Sequence, residues 1–216
     1  MEGSADRLSE SPIVTLVDDD ASVRQAMENL LCSVGIDAVS FGSAREVIEA
    51  TLPDRPGCFV LDVRMPGISG LDLQDHLVRQ GIHTPVIFLT AHGDIAMSVE
   101  AMKAGAQDFL TKPVREQTFI DAVTRAISAD VTRREAALNS QKQAALYEEL
   151  TGRERQVFRY VVEGFLNKQI GFELNITEVT VKLHRSNMMR KLGVTTFNQL
   201  FNAWQSLPAS IRDSEN

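Results

Sequence analysis

Residues 58–67 read CFVLDVRMPG, and this stretch decides the fold of the first half of the chain. The apolar run Cys58–Leu61 predicts a short buried strand, and Met65-Pro66-Gly67 predicts a turn soon after it. Asp62 directly follows the strand. Because reactive side chains of a parallel sheet collect at the carboxyl ends of its strands, Asp62 is a candidate functional residue.

Four further apolar runs lie on either side of this segment and alternate with helical patterns. They predict strands at Ile13–Val17, Ala38–Phe41, Val86–Leu89 and Asp108–Leu110. Five strands that alternate with five helices favour an α/β domain, a flavodoxin-like (βα)5 doubly wound parallel sheet with helices on both faces.

The segment from Val114 to Thr151 contains neither Gly nor Pro. Its part from Arg133 to Tyr147 is rich in Ala, Arg, Glu, Gln and Lys, which are good helix formers. We therefore predict that the fifth helix continues as a rigid linker. A polar, partly disordered tether is the alternative.

Beyond this linker the pattern is purely helical. Thr151-Gly152-Arg153-Glu154 predicts a capping box, and Asn167 and Thr177 are placed to cap the next two helices. Four short helices predict a compact all-α domain. The predicted boundaries are residues 11–129 for the α/β domain, 130–148 for the linker and 149–212 for the helical domain.

The composition is 44% hydrophobic and 24% charged, which is ordinary for a globular protein. The net charge of −7 is distributed as −9 over residues 1–125, −1 over 126–149 and +3 over 150–216, so the two ends are expected to meet different partners.

No apolar run is long enough to span a membrane, and Met1–Pro12 lacks the apolar stretch of a secretory signal. Cys32 and Cys58 have no metal or redox spacing and are expected to be buried, reduced thiols of a cytoplasmic protein.

Five polar residues occupy the same kind of position, at or just past the end of a predicted strand. They are Asp18, Asp19, Asp62, Thr90 and Lys112. Three carboxylates at one edge raise one another's pKa unless a cation neutralises them, and Mg²⁺ prefers such oxygen ligands. A carboxylate can also accept a phosphoryl group as an acyl phosphate. Taken singly, each residue has an ordinary structural interpretation, such as a helix cap for an Asp.

The motifs that surround these residues resemble the receiver domain of response regulators. They are Val17-Asp18-Asp19-Asp20 with Arg24, Leu61–Gly67 with Gly70, Leu89-Thr90-Ala91, and Leu110-Thr111-Lys112-Pro113. The resemblance implies that Asp62 is the phosphoacceptor and that Lys112 binds the phosphoryl group. It implies Mg²⁺ or Mn²⁺ held by Asp18, Asp19, Asp62 and the backbone carbonyl of Arg64. Thr90 and Phe109 match the switch pair, although many receivers carry Tyr where this chain has Phe109.

Residues 167–186 fit two helices joined by a sharp turn, the pattern of a helix-turn-helix in which the second helix enters the DNA major groove. The residues expected to contact DNA are Lys168, Thr180, Lys182, Leu183, Arg185 and Ser186. Leu183 could touch a thymine methyl group. From the pattern alone, a helical bundle with a solvated basic face is an equal alternative. Leu150-Thr151, Asn167-Lys168 and Glu178–Arg185 with Lys191-Leu192-Gly193 resemble the LuxR-type helix-turn-helix, and with the receiver motifs they resemble the FixJ/NarL family.

This resemblance implies a DNA-binding transcriptional response regulator that a partner histidine kinase phosphorylates on Asp62. It also implies that the phosphorylated chain forms a homodimer and that its partners are double-stranded promoter DNA and RNA polymerase. The same resemblance implies no association with a membrane and no enzymatic turnover of a substrate. Two alternatives stay open from the residues. One is a phosphatase of the haloacid dehalogenase type, in which Asp18 is the nucleophile and Asp62 a metal ligand. The other is an interaction-only regulator that binds no DNA.

Overall fold

The structure, a computed structural model, describes residues 11–91 and 95–214. The chain divides into two compact units between Arg134 and Glu135. This point falls inside the predicted linker, and the three domain boundaries given above stay predictions. The expectation for the N-terminal residues 1–10 lies outside the described residues. Within the described part of the chain, no helix has the length and apolar character that crossing a membrane requires.

The N-terminal unit is built on one five-stranded sheet. All paired strands are parallel, in the order β2-β1-β3-β4-β5. The strands are β1 (Ile13–Val17), β2 (Asp37–Phe41), β3 (Gly57–Leu61), β4 (Val86–Thr90) and β5 (Asp108–Thr111). Each begins and ends within one residue of its predicted bounds, so the predicted doubly wound fold is confirmed.

Helices cover both faces of this sheet. They are α1 (Ala21–Ser33), α2 (Ala44–Glu49), α3 (Gly70–Arg79), α4 (Ile95–Lys103) and α5 (Glu116–Glu148). Side chains of a strand alternate between faces: Val17 of β1 belongs to the core with Leu73 of α3, whereas Leu16 belongs to the core with Phe119 of α5. Two buried apolar layers therefore fix the sheet and the positions of its strand ends.

The turn after β3 is held by a close backbone approach. A Cβ atom at Gly70 would lie 2.2 Å from the carbonyl oxygen of Asp62, so only glycine fits there. The Gly70 N–H also donates to the carbonyl of Val63 at 3.0 Å. The start of α3 is thus packed directly against the residue that follows the strand.

Helix α5 is continuous for 33 residues, which confirms the helical linker over the disordered tether. Asp130 on this helix is fully buried. Its carboxylate accepts hydrogen bonds from the N–H of Gly57 at 3.1 Å and from Arg133 and Arg134, and Arg134 also pairs with Asp54 at 2.8 Å. This cluster ties α5 to the beginning of β3 within the N-terminal unit.

The described residues of the C-terminal unit form helices and no strand. Its helices are α6 (Gly152–Val162), α7 (Asn167–Leu174), α8 (Glu178–Lys191), α9 (Phe197–Gln205) and α10 (Ala209–Ser214). Tyr147 and Leu150, from the end of α5 and just after it, pack into the same core as Phe158 and Met188. Trp204, the one tryptophan of the chain, stands edge-on to Phe158 with ring centroids 5.1 Å apart.

Three expectations need correction. Asn167 does not cap α7 but is its first residue, and the N–H of the preceding Leu166 donates to the side chain of Gln169 at 2.8 Å. Helix α10 was not predicted. Cys58 is buried as expected, with burial and the nearby Asp130 raising its pKa to about 12, but Cys32 is exposed near the end of α1.

Candidate functional site

Three carboxylates meet at the carboxyl edge of the sheet. Asp18 and Asp19 follow β1 and Asp62 follows β3, and the parallel register that pairs Val17 with Leu61 places them side by side. One oxygen of each carboxylate lies within 4.8 Å of the others. Asp18 and Asp62 are buried, whereas Asp19 is exposed. The site therefore combines two desolvated carboxylates with one that is open to solvent.

Lys112 reaches this cluster from the residue after β5. Its Nζ donates to Oδ2 of Asp18 at 2.5 Å and to Oδ2 of Asp62 at 3.1 Å. Burial lowers the pKa of Lys112, but the hydrogen bonds to the two carboxylates outweigh burial and the pKa is raised. Burial also raises the pKa of Asp18, although the Lys112 hydrogen bond opposes it. Lys112 therefore carries its charge at neutral pH, and its ammonium binds two of the three carboxylates.

Hydrogen bonds that involve backbone groups hold Asp18 and Asp62 in place at the site. The N–H of Asp62 donates to the carbonyl of Val17 at 2.8 Å, which locks β3 to β1 at the site. Nη1 of Arg24 donates to the backbone carbonyl of Asp18 at 2.6 Å, and the N–H of Arg64 donates to Oδ1 of Asp62 at 3.2 Å. We infer no role for the exposed Arg64 side chain, since only its backbone faces Asp62 here.

The proposed switch residues lie on the neighbouring strands. Thr90 is the last residue of β4 and is 1% exposed, and its carbonyl accepts the Lys112 N–H at 2.8 Å. Phe109 lies on β5 and is partly buried, with its ring centroid 6.2 Å from that of Phe88. The structure therefore places Thr90 at the edge that holds the carboxylates and Phe109 on the adjacent strand, partly buried against Phe88.

The donor set fits a hard divalent cation. All the side-chain donors are carboxylate oxygens, which Mg²⁺ prefers, and the exposed Asp19 leaves a side from which water or a phosphoryl oxygen can approach. The desolvated Asp18 is also the kind of group whose charge a cation stabilises. The residues that could hold the ion are Asp18, Asp19 and Asp62, together with the backbone carbonyl of Arg64.

Helix α8 shows which residues of the helix-turn-helix face away from the core. Val181 and Met188 are fully buried. With about 100° between successive residues, Val179, Leu183, Ser186 and Arg190 all lie about 140–200° from Val181. All four are exposed. We call these four residues the outer face of α8.

The position of two arginines relative to the outer face bears on the expected DNA contacts. Arg185, which is expected to contact DNA, lies about 40° around the helix from the buried Val181. It is half-buried and donates to Oδ1 of Asn167 at 3.2 Å, so its contact with DNA stays a prediction. Arg190 was not considered, although it lies at the centre of the outer face. Its spacing of seven residues from Leu183, two helical turns, was a signal that could have revealed it.

The other expected DNA contacts lie in varied surroundings. Lys168 is exposed in the first turn of α7, and Ser186 is exposed on the outer face. The Thr180 hydroxyl hydrogen bonds with the Thr177 hydroxyl at 2.8 Å, within the cap of α8. Lys182 pairs with Glu178 at 2.9 Å, one turn earlier on the same helix. A polyanion therefore has to compete with Glu178 for Lys182.

The far end of α8 is tied to the start of α6. Oε2 of the buried Glu154 accepts from Nζ of Lys191 at 2.7 Å and from the N–H of Thr151 at 2.8 Å, which confirms the predicted capping box. Burial raises the pKa of Glu154, but the Lys191 and Thr151 hydrogen bonds outweigh burial, and the pKa lies below its ordinary value. Lys191 also donates to the carbonyl of Glu149 at 3.1 Å.

This ion pair predicts acid sensitivity of the C-terminal unit. Because the folded pKa of Glu154 is lowered, its contribution is complete above the unfolded value of about 4.3 and is lost as pH falls below it. Glu154→Gln is expected to cost about 2 kcal/mol at pH 7 and to weaken the pH dependence of unfolding. Urea unfolding followed by Trp204 fluorescence measures both. Glu149→Gln is the control, because it keeps the backbone carbonyl of residue 149 that accepts from Lys191. If the parent chain and Glu154→Gln showed the same pH dependence of unfolding, the Glu154–Lys191 pair would not be the source of the acid sensitivity.

Comparison with known proteins agrees with this arrangement. Residues 14–124 match the response regulator receiver domain, and residues 148–202 match the luxR family of bacterial regulatory proteins. Nodulation protein W of Bradyrhizobium diazoefficiens is 45% identical over 99% of this chain and 94% of its own length. The transcriptional regulatory protein FixJ of Azorhizobium caulinodans is 40% identical, over 89% of this chain and 92% of its own.

A solved structure extends the agreement to three dimensions. The response regulator StyR is 45% identical and superposes with a TM-score of 0.77, over 91% of this chain and 99% of its own. These relatives match both the α/β unit and the helical unit in one chain, which disfavours the phosphatase and the interaction-only alternatives. The protein belongs to the FixJ/NarL family of transcriptional response regulators, in which a receiver domain precedes a LuxR-type DNA-binding domain.

Proposed function

We propose that this regulator is switched by a phosphoryl group on Asp62 that a sensor histidine kinase supplies. A carboxylate oxygen of Asp62 attacks the phosphorus of a phosphohistidine. The new P–O bond forms as the P–N bond breaks, and the imidazole nitrogen keeps the electron pair. The observation that carries this proposal is the position of Asp62, within 4.8 Å of the Asp18 and Asp19 carboxylates and 3.1 Å from Nζ of Lys112.

The neighbours of Asp62 have distinct roles in this proposal. Asp18, Asp19, Asp62 and the Arg64 carbonyl hold Mg²⁺ or Mn²⁺, which when bound offsets negative charge at the site. Lys112 exchanges its hydrogen bond to Asp62 for one to a phosphoryl oxygen, and the Thr90 hydroxyl donates to another. The receiver domain thereby assists its own phosphorylation and dephosphorylation and turns over no other substrate.

In this proposal, Thr90 and Phe109 change position when Asp62 is phosphorylated. A shift of Thr90 toward the phosphoryl group makes room for the partly buried Phe109 ring to rotate inward, which remodels the surface of α4, β5 and α5. That surface then favours a homodimer, and α8 of each copy enters the major groove of promoter DNA. RNA polymerase is the further partner, and the cytoplasm is the proposed location. The proposed domains are residues 11–129 and 149–212, joined by the linker 130–148.

The test is phosphorylation-dependent binding to DNA. Duplexes are enriched from a random pool by the whole 216-residue chain in the presence of acetyl phosphate and Mg²⁺ and are labelled. Their affinity is then measured by fluorescence anisotropy with and without acetyl phosphate. We expect acetyl phosphate to tighten binding by the parent chain and to leave Asp62→Asn unchanged. Equal tightening in both chains would contradict the role of Asp62.

A second prediction concerns the Glu178–Lys182 pair. Glu178→Gln is expected to tighten DNA binding about threefold, because it frees Lys182 from an exposed ion pair. If Lys182 gains a phosphate contact, the slope of log affinity against log salt steepens by about 0.9. Glu173→Gln, an equal charge change on α7, is the control for net charge. An identical effect of the two substitutions would refute a specific role for the pair.

A further inference from the structure

Apolar side chains are unusually exposed in one part of the molecule. Among the described residues, the four most exposed large apolar side chains are Leu166, Phe172, Val179 and Leu183, at 69%, 85%, 75% and 58%. All four lie in or beside the helix-turn-helix. Two of them, Val179 and Leu183, belong to the outer face of α8.

Val179 and Leu183 form one continuous apolar strip. They are four residues apart, so they lie about 40° from each other around the helix and about 6 Å apart along it. Base pairs of B-DNA are about 3.4 Å apart along the axis. The strip therefore spans about two base-pair steps of a duplex that lies along the outer face.

The surroundings of this strip favour DNA over a protein as the occupant. Ser186 and Arg190 continue the outer face, and Lys182 lies beside it. The apolar strip is thus bordered by cationic side chains suited to phosphates. Val179 and Leu183 cannot hydrogen bond to base edges, and the one apolar group that a base displays in the major groove is the C5 methyl of thymine.

We propose that Val179 and Leu183 are specificity-determining residues that contact the methyl groups of two thymines within about two base-pair steps of each other. This inference rests on the proposed entry of α8 into the major groove. Burying one methyl group contributes about a fourfold change in affinity, so the two contacts together discriminate by more than tenfold. Lys182 and Arg190 supply the phosphate contacts that hold the strip in register.

Replacement of thymine by uracil tests the proposal directly, because uracil lacks only the methyl group. Each thymine of a duplex enriched by the whole 216-residue chain in the presence of acetyl phosphate and Mg²⁺ is replaced singly with deoxyuridine, and affinity is measured by anisotropy under the same conditions. We expect about fourfold weaker binding at each of two thymines and no change elsewhere. Leu183→Ala should remove the discrimination at one of these thymines, and Val179→Ala at the other.

Phe172→Ala is the matched control, since Phe172 is the most exposed of the four apolar residues and belongs to α7. It should keep both thymine-to-uracil ratios. Circular dichroism melting shows whether each variant is folded. If uracil is tolerated at every position, or if both discriminations persist in Val179→Ala and Leu183→Ala, the proposal is overturned. Failure to enrich any duplex would instead overturn the placement of α8 on DNA, and this inference with it.

Discussion

Asp62→Asn is expected to abolish phosphorylation of the chain by acetyl phosphate or by a kinase. The side-chain amide of this variant lacks the negative charge and the nucleophilic carboxylate oxygen that form an acyl phosphate. The other carboxylates of the cluster, Asp18 and Asp19, follow β1 and not β3, so neither takes the position of Asp62. Incubation with ³²P-labelled acetyl phosphate and Mg²⁺, followed by gel electrophoresis, measures the incorporation. The parent chain should approach one phosphoryl group per molecule, and the variant should stay at background.

Asp75→Asn is the matched control for this substitution, because Asp75 is an exposed carboxylate on α3 outside the cluster. It should incorporate label like the parent chain. Stoichiometric label that is stable to acid and labile to base in Asp62→Asn would show that another carboxylate accepts the phosphoryl group.

Asp130→Ala is expected to destabilise the N-terminal unit by about 3 kcal/mol. The substitution leaves the N–H of Gly57 and the buried side of Arg134 without the carboxylate that binds both. For a unit of this size, such a loss lowers the melting temperature by about 10 °C. Circular dichroism at 222 nm records this transition, whereas Trp204 fluorescence reports the C-terminal unit, where we expect a much smaller shift.

The control is Asp121→Ala, which removes an exposed carboxylate from the same helix. It should change the melting temperature little, because exposed side chains contribute little to stability. If Asp130→Ala melted like Asp121→Ala, the cluster that ties α5 to β3 would be energetically unimportant.

The strand positions and the carboxylate cluster could be predicted from sequence because both follow from local patterns. A short apolar run fixes each strand, and a parallel sheet brings the residues after its strands to one edge. For this reason the amino-acid sequence alone is enough to place Asp18, Asp62 and Lys112 together, although they are far apart along the chain. The long helix α5 was predictable from the absence of Gly and Pro in residues 114–151.

Other features depend on tertiary contacts that local patterns do not contain. Asp130 lies in a polar stretch typical of an exposed helix face, and its burial depends on Gly57, 73 residues away. The full extent of the outer face of α8 was hard to read from the sequence, because Val179 and Leu183 put apolar residues on both sides of the helix. Arg190 on that face was therefore overlooked, and the half-burial of Arg185 depends on a contact with Asn167 of α7 that the pattern of α8 does not contain. The six residues of α10 are too few and too polar to give a clear pattern.

Asp62, and no other carboxylate at the sheet edge, is proposed to carry the phosphoryl group. Reduction of the phosphorylated chain with borohydride converts an acyl phosphate at an aspartate into homoserine, and tandem mass spectrometry of the peptides then locates it. We expect homoserine at position 62 in the parent chain and at no position in Asp62→Asn. Homoserine at position 18, the nucleophile of a phosphatase of the haloacid dehalogenase type, would contradict the account.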